Sequence, residues 1–150
     1  MKIRLIPSLL AGLLLTVADV PAADLIAEAR ALAAAHDAAG AVARYREAAA
    51  LPGAEAKARA QALYGVADLS LHALDRLDDA LAAYDAIAAL EELPANERLA
   101  ARNRKASVLL RFRTRERVVQ MRGIWSDIGR DASLTPAQRI KGWIAAANNA

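Results

Sequence analysis

Three stretches of the chain repeat one spacing of apolar positions. Ala38, Ala41, Tyr45 and Ala48 make the first, Leu77, Ala80, Tyr84 and Ile87 the second, and Val118, Met121, Trp125 and Ile128 the third. The intervals are 3, 4 and 3 in each, which gathers the four residues on one face of an α-helix. An aromatic residue or Tyr-like place recurs third in two of them as tyrosine and in the last as tryptophan. Ahead of each stretch lies a second helical run with its own apolar face: Leu25, Ala29 and Leu32; Tyr64, Ala67 or Asp68, and Leu71; Val108, Leu109 and Phe112. The pattern predicts a helix pair, helix A then helix B, made three times. No alternating β-branched run and no Asn-Gly or Asp-Gly turn signals a strand.

Prolines mark the same divisions. Pro52, Pro94 and Pro136 stand at one constant interval, in "LPGAEAKARA", "LPANERLAAR" and "LTPAQRIKGW". Proline suits the first helical position, where its missing N–H would have had no partner, so each is expected to open a new hairpin. Thr135 and Gln138 flank the last proline in the arrangement of a capping box. One further helix is predicted over 136–148. Its Ile140, Trp143 and Ile144 are expected to cover the third hairpin, with Lys141, Asn148 and Asn149 in water.

"LDRLDDALAAYDAIAALEELP" (Leu74 to Pro94) resembles the second helix of a tetratricopeptide repeat (TPR), with small Ala80 four residues before aromatic Tyr84. Ala41 and Tyr45 repeat the pair. In that family the small residue lets two helices approach and the aromatic fills the space beside it; Leu32, Leu71 and Phe112 match its large aliphatic helix-A positions. The resemblance runs over three units, from Ala23 to about Ser133. It implies an all-α helical-hairpin solenoid with units over about 23–55, 56–94 and 95–133, a capping helix over 136–148, and a repeat core of Leu32, Ala41, Tyr45, Leu71, Ala80, Tyr84, Ile87, Phe112, Met121, Trp125 and Ile128. The chain departs from the family in three ways. Its proline interval is longer than the family period of about 34 residues. The family's helix-A glycine is replaced by Ala29, Asp68 and Leu109, and Met121 stands where a small residue is usual. A HEAT- or armadillo-like hairpin repeat of about 40 residues and a plain up-and-down bundle are the competing architectures.

Composition sharpens this picture. The chain is 56% hydrophobic but only 4% aromatic, so alanine drives helix formation while each helix buries little area, and stability rests on close stacking. There is no cysteine, which excludes disulfides, thiol catalysis, cysteine-ligated zinc and a lipoprotein anchor. Residues 1–22 read as a secretory signal peptide: basic "MKIR", apolar "LIPSLLAGLLLTV", then "ADVPAA" with Val20 and Ala22 fitting the cleavage rule. The apolar run is shorter than the roughly 20 residues a membrane-spanning helix needs, and an uncleaved anchor is the alternative. An alanine- and arginine-rich chain with such a leader is expected to be bacterial, periplasmic or secreted, and without a membrane anchor after cleavage.

Nothing in the sequence declares a reaction. His36 and His72 stand alone, without a His, Asp or Glu at helical metal-site spacing. Asp75, Asp78 and Asp79 are accounted for by the dipole of the helix they precede or begin. No Gly-x-Ser-x-Gly turn or Gly-rich phosphate loop is present. The expectation is a protein that is not an enzyme and uses no cofactor or metal.

Charge is more informative. Residues 23–95 hold 6 Lys/Arg and 12 Asp/Glu, a net of −6, whereas residues 96–150 hold 12 and 4, a net of +8. The expected function is a non-enzymatic protein-interaction module whose helix-A faces hold a segment of a protein partner, acidic in character. The alternative is a structural subunit that self-associates through its oppositely charged halves, and the basic run also reads more simply as a solvated face. Nucleic acid fits poorly, since an exported protein seldom meets it and only Phe112 interleaves with the arginines. By resemblance to the family, groove positions fall on Ile26 and Arg30, on Leu69 and His72, and on Asn103, Leu110 and Arg113; Arg117 joins them from the basic run. The Lys/Asn carboxylate clamp of some tetratricopeptide domains is missing at Ile26 and Arg30.

Overall fold

The computed structural model describes residues 21–112 and 114–149. The expected signal peptide falls almost wholly outside them, as does Arg113. Seven α-helices follow one another: α1 (Ala22–Ala34), α2 (Ala38–Ala50), α3 (Ala56–His72), α4 (Leu77–Ala88), α5 (Ala95–Arg111), α6 (Arg115–Arg130) and α7 (Pro136–Asn148).

The helix ends have local causes. Leaving α1, the His36 N–H donates to Ala33 O and the Asp37 N–H to Leu32 O, with His36 in the left-handed region at φ 63°. This is a Schellman closure. The Asp37 carboxylate then accepts from the Gly40 N–H at 2.8 Å and caps α2. Thr114 caps α6, and Thr135 with Gln138 forms the expected capping box of α7. The prolines are less uniform than their spacing suggests. Pro136 is inside the first turn of α7, Pro94 is the N-cap of α5, and Pro52 sits in the turn four residues before α3. Only the last occupies the first helical position.

Each helix packs on its neighbours in sequence, and beyond these only α1 and α3 approach closely among the described residues. The result is an open succession of helical hairpins, because no contact closes the first helix on the last. The inward faces of α2, α4 and α6 are those with the 3, 4, 3 spacing: Ala41, Ala48, Ala80, Ile87 and Met121 are wholly buried, and Tyr45, Tyr84 and Ile128 nearly so. The main core joins α1 to α5, while a smaller one holds Ala106, Leu109 and Met121 with Trp125 at its edge.

Three expectations are corrected here. Ile26, expected on the groove, is 4% exposed in the main core. Because α1 meets both α2 and α3, its buried arc takes in Ile26 as well as Leu25 and Ala29. On α7 Gly142 and Ala146 are buried and Trp143, as expected, lays its ring on Gly129 of α6, whereas Ile140 and Ile144 are 57% and 54% exposed. A Cβ at Gly142 would lie 2.9 Å from both the Gly129 N and the Trp125 O. Backbone against backbone sets this contact and turns the isoleucines outward. Asn149, expected in water, is half-buried and donates through Nδ2 to Ala145 O at 3.0 Å.

Candidate functional site

Because α3 and α5 do not touch along their backbones, a cleft of about 450 Å³ opens between them over α4. Leu71, Val108 and Tyr84 form its floor; His72, Asn103, Arg104, Ser107 and Arg111 form its walls. A second cleft, of about 430 Å³, opens between α5 and α7 over α6, with Leu99, Trp125 and Ile128 beneath and Asn103, Gln138 and Lys141 around them. Asn103 lines both, so the two clefts join along the face made by α3, α5 and α7.

The charged side chains that line the two clefts are basic, with Asp68 and Glu97 near the tyrosines behind them. Arg104 lies over the Tyr64 ring at 4.5 Å from its centroid, a cation–π contact that fixes the guanidinium while leaving its charge uncompensated. Arg104, Arg111 and Lys141 make no ion pair among the described residues. Burial foremost, with the charge of Asp68 and for Tyr64 that of Glu97, raises the pKa of the Tyr64 and Tyr84 hydroxyls above the usual value against the opposing pull of Arg104, so both are neutral donors at physiological pH. No carboxylate lines either cleft.

Other members of the basic run are already engaged. Arg102 Nη1 donates to Asp131 Oδ2 at 2.6 Å, with both side chains largely buried. Lys105 Nζ holds the Asp85 carboxylate at 2.6 and 2.7 Å. Asp131 also accepts from the Ser133 hydroxyl at 2.6 Å and the Ser133 N–H at 2.9 Å. Those bonds, the Ser133 hydroxyl foremost and then its N–H and Arg102, lower its pKa to about 2 against the cost of burial. A mixed-charge cleft of about 420 Å³ lies on the opposite face, between α4 and α6, with Asp85, Arg102 and Asp131 among its lining.

Of the expected groove residues, the structure brings His72 and Asn103 together at the first cleft. Arg30 is exposed on α1, away from both clefts. Leu69 is half-buried against the main core and Leu110 against the smaller one. Arg117 is half-buried and donates to Phe112 O at 3.3 Å. Arg113 is outside the described residues. The sequence reading missed Arg104, Ser107, Arg111 and Lys141. Asn103, Ser107 and Arg111 stand at i, i+4 and i+8, a polar line on one face of α5 hidden within a run that looks uniformly basic.

Among the described residues no group of three or more His, Cys, Asp or Glu could hold a metal ion, and no helix is long and apolar enough to cross a membrane. Compared with protein families, with curated proteins and with solved structures, the chain matches none. Its described residues form seven sequentially packed α-helices, and similarity assigns the chain no family.

Proposed function

We propose that this protein is a non-enzymatic, tetratricopeptide-like interaction module of the bacterial cell envelope, holding an acidic segment of another protein along the face of α3, α5 and α7. The single observation that carries the reading is the pair of clefts joined at Asn103, apolar beneath and lined by Arg104, Arg111 and Lys141 without a carboxylate. Such a surface rewards a peptide that places an apolar side chain on Leu71 and Val108 and carboxylates beside the arginines. The repeat identity draws support from the small-aromatic pairs. It draws support also from the starts of α1 and α3 at Ala22 and Ala56, whose separation equals the family period of about 34 residues. Location in the envelope rests on the leader-like sequence of residues 1–22.

Peptide-display selection on the immobilised protein tests the reading. Enriched sequences should combine Asp or Glu with an apolar residue. Their binding, measured by fluorescence anisotropy, should fall with salt, because the Debye length shrinks from about 10 Å at 0.1 M to about 3 Å at 1 M. Arg111→Glu should weaken them further. Selection of peptides with no acidic bias, or binding indifferent to Arg111→Glu, removes the proposal.

A further inference from the structure

We infer that copies of this chain associate head to tail, the outer face of α7 docking on the outer face of α1 in the next copy. Helices α2 to α6 each have a packed neighbour on two sides, whereas among the described residues α7 has α6 alone. Three of the four large hydrophobic residues exposed among the described residues belong to α7: Ile140 and Ile144 on its open side, and Trp143 at the edge, its ring laid on Gly129 of α6. Spaced at i, i+3 and i+4, they form the kind of stripe that a neighbouring helix covers. None of the three lines a cleft of the proposed groove, so this apolar stripe is separate from it, with Lys141 at the border of both.

Charge selects the occupant. Helix α7 carries Arg139 and Lys141 and no carboxylate, so pairing two α7 helices would bring like charges together. Helix α1 offers the complement. Its outward face exposes Ala27, Ala31 and Ala34, with Asp24 and Glu28 along one edge. Small side chains let the isoleucines seat close to the helix, and the two carboxylates meet Lys141. Asp24 has no ion pair among the described residues, while Glu28 shares Arg44 at 3.4 Å in an exposed pair. The two ends also belong to the halves of net −6 and +8, which orients an approaching copy before contact. Because the two surfaces differ, the contact is heterologous and repeats, giving rings or open chains.

The test uses protein expressed from the full sequence and analytical ultracentrifugation over a concentration series. Wild type should grow beyond a dimer as concentration rises. Ile140→Asp with Ile144→Asp disables one end, and Ala27→Lys with Ala31→Lys disables the other; all four positions are exposed, and circular dichroism checks that the helices persist. Each variant alone should associate about tenfold or more weakly than wild type. Mixed one to one, they should form a dimer and nothing larger, since one intact α7 face meets one intact α1 face. The idea fails if wild type is monomeric throughout. It fails equally if the α1 variant still self-associates through α7, or if the α7 face instead binds phosphatidylglycerol vesicles while the chain stays monomeric.

Discussion

The two halves of the molecule use the same helix-pair arrangement with opposite outcomes. From α1 to α4 the core is largely alanine: Ala29, Ala41, Ala48, Ala62, Ala67 and Ala80 are wholly buried. Helices α1 and α3 therefore approach each other, and the cleft between α2 and α4 is small, about 200 Å³, with Arg46 and Asp79 joined across it at 2.9 Å. From α3 to α7 the corresponding spaces are about 420 to 450 Å³. The step along the chain from Ala56 to Ala95, and again from Ala95 to Pro136, is longer than that from Ala22 to Ala56. Buried Met121 also takes the place that Ala41 and Ala80 hold in α2 and α4. The many arginines of α5 and α6 oppose closure too, because a guanidinium buried without a partner is costly. The contrast teaches that a longer step between successive helix starts, with charge beside it, leaves usable clefts where the shorter step closes the stack.

The largest expected effect tests that difference directly. Tyr84 is 4% exposed and meets Tyr64 edge-on, with centroids 6.2 Å apart and rings at 62°. Tyr84→Ala should cost about 3–5 kcal/mol, the range for a buried aromatic. Trp125 holds the same place in α6 but is half-buried beside a cleft, so Trp125→Ala should cost about 1–2 kcal/mol despite the larger ring. Urea melts of the two variants decide it. Equal losses would mean that the second half is as tightly packed as the first.

The next effect, in pH, belongs to the open half. Asp131 joins α5 to the end of α6 through Arg102, and its pKa lies at about 2, below the ordinary 3.8. A lowered carboxylate pKa means that the folded state favours the ionised form. The stabilisation is present above the ordinary value and is lost as the pH falls toward the lowered one. It amounts to at most about 2 kcal/mol, the Ser133 bonds supplying the larger share and Arg102 the rest, with solvent screening reducing both. Between those limits, hydrogen exchange should rise in α5 to α7 before it rises in α1 to α4, where the pairs of Arg44 with Glu28 and of Arg46 with Asp79 are exposed and worth little. Asp131→Asn should flatten this response. Uniform acid loosening of both halves would show that the pair does not divide them.

The helix pairs are legible in the sequence because the 3, 4, 3 spacing is a local signal that tertiary packing only reinforces. Tyr45 illustrates where legibility stops. Its place on the inner face of α2 can be read, but its ring rests on Gly65, where an added Cβ would lie 2.6 Å from it. Resemblance to the repeat family points instead to Asp68 for that glycine, about one turn further on. Helix α7 misleads for the same reason, since apolar size suggests the buried face and Gly142 makes the contact. At the groove, repeat register places His72 and Asn103. Which arginines remain available depends on distant carboxylates, Asp85 for Lys105 and Asp131 for Arg102, and sequence order does not show those pairings.

The smallest effect concerns the closed half and runs the other way. Ser70 is wholly buried near the end of α3, and its hydroxyl has no hydrogen-bond partner. A buried hydroxyl left unpaired costs about 1–3 kcal/mol, whereas the alanines around it cost nothing of the kind. Ser70→Ala removes one atom, leaves almost no cavity, and brings in the better helix former. Stability should therefore rise by about 1 kcal/mol, seen as a higher urea midpoint with the slope unchanged. A fall in the midpoint would mean that the hydroxyl is bonded in solution, through a trapped water between α3 and its neighbours. The closed half would then be less dry than its alanine packing implies.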